Sequence, residues 1–298
     1  MKAVIVTKYG PPDVLKIKDI PKPKPKDNEV LIKIIGAAVV NTDPIFRKGE
    51  PFISRLFSGL TKPKHSIPGD VLSGKVETVG DKVKNFKPGD AVFGVTNITC
   101  GAHAEYICLP ENSALAIKPE QVSYTEAAAA SDGLLVALSF LRDKGEIQKG
   151  QRVLINGASG SVGSAAVQLA KHFGAVVTGV CSSTNIEMVK SIGADDVIDY
   201  TKEDFTKNGK TYDIIFDAVA KRSFCICKKS LTENGIYLTT VPDLKVLTQW
   251  IFTSIFCKKK ARFAATGLRP AQDKAKDLNY IKSLLEKSIV RSVIDKSY

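Results

Sequence analysis

Residues 152–163 constrain this chain more than any other stretch. Arg152-Val153-Leu154-Ile155-Asn156 reads as a short buried strand and runs straight into Gly157-Ala158-Ser159-Gly160-Ser161-Val162-Gly163. Taken as A-x-G-x-x-G, the segment places Ala158, Gly160 and Gly163 at the spacing of a dinucleotide fingerprint. Ala158 suits the tight turn, Gly160 leaves backbone N–H groups open to a pyrophosphate, and Gly163 lets helix and strand pack closely. The helix expected over Ser161–Phe173, closed by Gly174, points the positive end of its dipole at the same spot. Ser159, Ser161 and Val162 complete the phosphate-binding loop.

The surrounding pattern agrees. Val176–Cys181, Val197–Tyr200, Asp213–Val219 and Ile236–Val241 read as further apolar strands. Helices are expected over Asn185–Ile192, closed by Gly193, and near Ser223–Leu231. Strands alternating with helices imply a doubly wound parallel sheet of the α/β class. Coenzyme choice then rests on the end of the second strand, where an NAD site carries an acid for the ribose hydroxyls. Here that end is Cys181-Ser182-Ser183-Thr184-Asn185, without a carboxylate. Ser182, Ser183 and Asn185 offer hydroxyl and amide donors to a 2′-phosphate, and Tyr200 offers another, so NADPH is expected.

The first 120 residues have a different texture. Ala3–Val6, Val30–Ile35, Gly74–Val79, Ala91–Val95 and Ala104–Cys108 are short β-rich runs, separated by turn signals such as Pro68-Gly69-Asp70 and Lys87-Pro88-Gly89-Asp90. They imply a barrel-like β domain. Within it, Phe52, Ile53, Leu56, Phe57 and Leu60 fall at helical spacing, as a helix folded over the barrel or a lid beside a cleft. Ser123-Tyr124-Thr125-Glu126 has the form of a capping box before an Ala-rich helix. After Pro242, Val246–Phe256 is strongly apolar and holds the only tryptophan, Trp250. Arg262–Thr266 offers another strand, Asp273–Lys287 a helix and Ile289–Ile294 a last strand.

Composition excludes several classes. The 298 residues suit about two domains. No apolar run reaches the ~18 residues of a membrane span, and the N-terminus lacks a secretory pattern, so a cytoplasmic protein without a membrane partner is expected. The six cysteines are sparse and are expected as reduced, packed thiols. The net charge is +12, but the runs Lys22-Pro23-Lys24-Pro25-Lys26 and Lys258-Lys259-Lys260 carry no interleaved aromatics. They read as solvated surface rather than a nucleic-acid site.

The ordered set Pro68-Gly69-Asp70, Phe86 through Gly94, Ala104-Glu105-Tyr106, Lys149 through Ile155, Gly157 through Lys171, Gly193-Ala194-Asp195 and Tyr212 through Asp217 spans essentially the whole chain. It resembles the medium-chain dehydrogenase/reductase superfamily, in its zinc-independent quinone oxidoreductase branch. The resemblance implies a GroES-like β-barrel catalytic domain over 1–122 and a Rossmann cofactor-binding domain over 123–266. Residues 267–298 then return toward the catalytic domain, and the active site lies in the cleft between the domains. It implies hydride transfer from NADPH to a quinone or an activated α,β-unsaturated carbonyl, with an enal, enone or enoyl-thioester reductase as the alternative. A nucleotide-bound RNA-binding or structural protein is the alternative of another class.

By the same resemblance, Asn41 is the polar position near the nicotinamide, and Ala218, Val219 and Val241 line its ring. Asp43 and Asp70 orient neighbouring groups or, for Asp70, serve a turn. Val136 stands where relatives carry a Thr facing the cofactor. No metal is expected: zinc-dependent relatives carry a Cys within residues 39–43 and a His-Glu pair after the Pro-Gly, where this chain has Asp70-Val71. His65, His103 and His172 are scattered, the first two on loops and the third on a helix surface. The resemblance also implies a homodimer. Family members continue past Tyr298 with a helix and closing strand, so reduced stability and weaker NADPH retention are expected.

Overall fold

A computed structural model describes residues 1–50, 52–96, 99–241 and 244–298; the side chains of Ile53, Phe57, Leu244 and Lys245 also lie outside the description, as does Pro242. The chain divides into two units: Met1–Asp132 with Gly267–Tyr298, and the continuous stretch Gly133–Thr266.

In the first unit, β1 (Lys2–Ile5) pairs antiparallel with β2 (Lys16–Asp19). β3 (Glu29–Ala38), β4 (Val71–Val79), β5 (Ala91–Val95), β6 (Tyr106–Pro110) and β7 (Ala114–Ile117) form an antiparallel sheet in the order β6-β3-β4-β5-β7. Period-two burial packs Val30, Ile32, Leu72, Val76, Val92, Ile107 and Leu115 into one core. All five expected strands are present, although β6 starts later than expected and Ala104 makes only an isolated bridge to Ala3. The exposed, Lys-rich β2 carries no apolar alternation and exists through its pairing with β1.

The first two helices of this unit are short. α1 (Thr42–Lys48) ends at Gly49 in the left-handed region. The expected 52–64 helix is cut to a 3-10 turn at Phe52–Ser54 and α2 (Arg55–Ser58). Gly59 ends it at φ 118°, where a Cβ would lie 2.1 Å from the Lys62 carbonyl oxygen. Phe52, Leu56 and Leu60 are exposed, so this segment is not a helix packed on the barrel core. α3 (Tyr124–Leu138) starts with the expected capping box: Ser123 N–H donates to Glu126 Oε2 at 2.9 Å, and Glu126 N–H to Ser123 Oγ at 3.2 Å.

In the second unit, β8 (Arg152–Asn156), β9 (Val176–Cys181), β10 (Asp196–Asp199), β11 (Tyr212–Asp217), β12 (Leu231–Thr239) and β13 (Lys260–Phe263) form a wholly parallel sheet, ordered β10-β9-β8-β11-β12-β13. The order reverses between β8 and β11, which opens a crevice at their C-terminal ends. α4 (Ser161–His172), α5 (Ile186–Ser191), α6 (Phe224–Cys227) and α7 (Leu244–Phe256) link the strands. Leu154, Val180, Ile198, Phe205, Ile215 and Tyr237 build its core. None of the six cysteines is in a disulfide; Cys181 and Cys227 are buried, whereas Cys225 is exposed rather than packed.

α8 (Ala271–Glu286) belongs to the first unit again and packs on β7 through the face bearing Leu278, Ile281, Leu284 and Leu285. The strand expected over Ile289–Ile294 is absent. Ser288 turns the chain at φ 54°, and the segment is pinned by buried Val290 and by Ser292 Oγ donating to the Glu126 carbonyl at 2.6 Å, without a neighbouring ladder.

Two buried charge networks carry much of the energetic risk. In the second unit Asp217, fully buried at the end of β11, accepts from Asn156 Nδ2 (2.8 Å), Arg222 N–H (2.8 Å) and the Tyr237 hydroxyl (3.2 Å). In the first, burial lifts Asp70 to about 7, with Thr96 Oγ1 donating to it at 2.9 Å in opposition. Burial likewise lifts Asp132 to about 6 against the pull of Lys274, and it raises Asp43. Lys274, on α8 and itself buried, is pushed down by the same desolvation.

Replacing Asp217 by Ala should strand three donors and lower unfolding free energy by about 3 kcal/mol, read from urea denaturation. Asp70 has a folded pKa above its unfolded value. Its contribution is therefore fully present below about pH 4 and lost as pH rises through about 7. Asp70→Asn keeps the oxygen that Thr96 needs. It should stabilise the chain by on the order of 1 kcal/mol at pH 8 and flatten the decline in melting temperature between pH 5 and 8.

Candidate active site

The crevice at the end of β8 is built from small residues for steric reasons. Gly157 turns at φ 83°, and a Cβ there would meet Val219 Cγ1 at 2.5 Å. The N–H groups of Gly157 and Ala158 both donate to the Val180 carbonyl at 3.0 Å, tying the loop to β9. Ala158 is fully buried. At Gly163 a Cβ would lie 2.0 Å from the Gly157 carbonyl oxygen, so this glycine brings the first turn of α4 against the end of β8. Gly160 differs: a Cβ would meet only the Gly157 oxygen at 3.5 Å, an ordinary contact, and would project into the crevice.

Gly160 is also the N-cap of α4 and has no side chain with which to cap it. The first-turn amides, including Ser161, Val162 and Gly163, therefore have no intrahelical acceptor. Ser159, Gly160 and Ser161 lie at the surface of the loop. A cradle of free N–H groups at a helix N-terminus, which a Cβ would fill, fits the diphosphate of a dinucleotide.

Beside it, the residues expected at the adenosine ribose are already engaged with one another. Ser183 Oγ donates to Asp199 Oδ2 at 2.5 Å. Asn185 Nδ2 donates to Ser182 Oγ at 3.0 Å, and the Ser182 and Thr184 hydroxyls share a hydrogen bond of 3.0 Å. Asp199 is the acid here, but it closes β10 rather than β9, away from the position where the fingerprint places one. Hydrogen bonds from Ser183 and Thr201 hold it down to about 2. Tyr200 is exposed, and Lys202 Nζ stands 3.8 Å from Asp199 Oδ2. Ala218 is anchored by its N–H to the Asn156 carbonyl (3.1 Å) and by Thr240 Oγ1 to its own carbonyl (3.3 Å). Val219 and Val241 are exposed.

The first unit holds a separate pocket of about 50 Å³, lined by Val6, Asp43, Phe46, Arg47, His65 and Cys100 among others. Asp43 Oδ2 accepts the Val40 N–H at 2.8 Å. Burial, then Lys64, holds His65 below its usual value, so it is neutral at pH 7. Burial lifts the Cys100 thiol to about 11, so it is no nucleophile at neutral pH. Arg47 Nε is buried without a hydrogen-bond partner among the described residues, as is His103 Nε2, whose ring packs where a Gly69 Cβ would be. Arg47, on the side of α1 that also carries Asp43 and Phe46, was not singled out by any sequence motif. Asn41 sits exposed at the start of α1, and its side chain makes no hydrogen bond among the described residues. His172 is exposed on α4.

Comparison with known proteins follows the same division. Residues 26–119 match the family described as alcohol dehydrogenase GroES-like domain, and residues 161–239 the family described as zinc-binding dehydrogenase. Among the described residues no three His, Cys, Asp or Glu side chains gather so as to hold a metal ion, so the residues present do not fit the zinc of that description. The chain is 34% identical over 292 residues to a chloroplast envelope quinone oxidoreductase homolog of Arabidopsis thaliana, covering 94% of this chain and 85% of that protein. It is 36% identical over 233 residues to a chloroplastic NADPH-dependent alkenal/one oxidoreductase of the same plant, covering 74% and 57%. The structure of a quinone oxidoreductase from Coxiella burnetii superposes with a TM-score of 0.85 at 29% identity, over 99% of this chain and 90% of that one. Fold, cradle and kinship agree: the chain belongs to the quinone oxidoreductases of the medium-chain dehydrogenase/reductase superfamily.

Proposed function

We propose that this protein is an NADPH-dependent reductase of quinones or activated α,β-unsaturated carbonyls and works without a metal. The observation that carries the reading is the uncapped N-terminus of α4 at the β8/β11 reversal, with Gly160 leaving room for a diphosphate. The names of the two plant relatives support the acceptor class, and one of them supports the coenzyme.

Bound NADPH supplies a hydride, and the chain's task is to hold the reactants and receive the charge. Amides of Ser159, Ser161, Val162 and Gly163 bind the diphosphate, while Ala218, Val219 and Val241 offer apolar contact to the nicotinamide. Because Ser183 spends its proton on Asp199, the 2′-phosphate falls to the Ser182–Thr184 hydroxyl pair, the second Nδ2–H of Asn185, Tyr200 and the Lys202 ammonium. The charge of Asp199 makes that cation necessary. Reducing a quinone or enone places negative charge on an oxygen, which needs oriented donors more than a strong acid. Asn41 is one such donor. The homodimer implied by the resemblance belongs to this reading.

Gly160→Asp separates binding from folding. The new carboxylate has space, caps α4 and occupies the phosphate position. NADPH binding should fall by more than about a hundredfold by fluorescence titration while the melting temperature holds or rises slightly. The wild type should oxidise NADPH with members of a quinone and enone panel, and the variant should not. Lys202→Glu should raise the dissociation constant for NADPH about tenfold and leave that for NADH unchanged, as loss of a surface cation–phosphate contact predicts.

A further inference from the structure

The pocket of the first unit holds a cation without a counter-charge. Arg47 lines it together with Asp43, Phe46 and His65, and Arg47 Nε is buried with no hydrogen-bond partner among the described residues. Other arginines of the chain are engaged. Arg55 Nε donates to the Gly49 carbonyl at 3.1 Å, and Arg222 pairs with Asp204 at 3.3 Å, Arg262 with Glu146 at 2.7 Å and Arg269 with Asp277 at 2.8 Å. The acid one helical turn before Arg47 does not serve it: Asp43 Oδ2 accepts the Val40 N–H at 2.8 Å, and among the described residues the two side chains form no ion pair. His103 Nε2, in a ring that packs against pocket-lining Gly69, is a second buried polar atom without a partner among the described residues. Unpaired buried polar groups cost stability, so a cavity that keeps them is shaped for a ligand that completes them.

Size and charge say which ligand. The pocket measures about 50 Å³. At roughly 10–15 Å³ for each water-sized group, it holds about four heavy atoms, the size of a carboxylate with the carbon that bears it. An arginine presents its Nε–H and a neighbouring Nη–H in parallel, which matches the two oxygens of a planar carboxylate. Val6, Phe46, Pro63 and Pro68 make the rest of the wall apolar, and a charge pair gains strength where water is excluded. Lys64 adds positive charge that reaches His65, so Arg47 and Lys64 outweigh Asp43 by one. A carboxylate balances that excess, whereas a phosphate dianion exceeds it. We propose that this pocket is a carboxylate-binding site anchored by Arg47, and that the acceptors reduced by this protein carry a carboxylate. The acceptor class rests on the reductase reading; the site itself rests on Arg47 and the pocket alone.

4-Oxo-4-phenylbutanoate and its methyl ester test the site without turnover, since they differ only by the charge and one methyl group. Calorimetric titration of the full chain should show the acid binding at least about tenfold more tightly than the ester. Arg47→Met should erase that preference, and Arg47→Lys, a point charge without the fork, should keep only part of it. Circular dichroism and NADPH titration of both variants should match the wild type. With NADPH, the matching enones, 4-oxo-4-phenyl-2-butenoate and its methyl ester, should show a lower KM for the acid by a similar factor, lost in Arg47→Met. Comparing acid-to-ester ratios between proteins cancels the different reactivity of the two enones. Equal affinity of the wild type for acid and ester would overturn the proposal, and so would an acid preference that survives Arg47→Met. Binding of the acid through Arg47 with turnover of neither enone would uphold the site and sink the reductase reading instead. Turnover of both enones at a ratio that Arg47→Met leaves unmoved would do the reverse.

Discussion

The contact between Gly163 and the Gly157 carbonyl governs the rest of the second unit. With no side chain in the way, the first turn of α4 approaches the end of β8 more closely than any other residue would permit. That approach points the unpaired amides of the turn into the place where the sheet reverses direction, and a helix dipole adds its partial charge there. Gly157, with its left-handed backbone against Val219, bends the chain so that helix and strand can meet. The coenzyme reading descends from this close approach.

The two units spend buried polarity differently. In the second, Asp217 is saturated by donors from β8, β12 and the turn after β11, so its charge fixes the loop carrying Ala218 and Val219. In the first, desolvation raises the carboxyls of Asp70, Asp132 and Asp43, to about 7 for Asp70 and about 6 for Asp132, and lowers Lys274. A network saturated with donors gives rigidity, whereas one whose carboxyls titrate near neutrality responds to pH.

Short-range physics was legible in the sequence. Gly157 through Gly163, the Ser123–Glu126 cap and the strand at Arg152–Asn156 each depend on neighbours within a few residues, and each is found where its spacing put it. The misses have longer range. Ser183 looked free to bind a phosphate because Asp199, the partner that takes its proton, is sixteen residues away. Lys274, within the helix expected over Asp273–Lys287, is buried and charge-coupled to Asp70 and Asp132, residues far from it in sequence. Ile289–Ile294 has strand composition but no edge to pair with, which composition cannot reveal. Val246–Phe256 read as apolar without saying which side would be covered.

The return of α8 to β7 has a consequence for how the molecule is made. The second unit is one uninterrupted stretch, so it can assemble as soon as Thr266 has cleared the ribosome. The first unit begins earlier yet finishes later, because Leu278, Ile281, Leu284 and Leu285 reach β7 only when the last thirty or so residues emerge. Throughout that interval a nascent β sheet waits with one flank bare. Chaperone capture during translation should therefore concentrate on the earlier-born half.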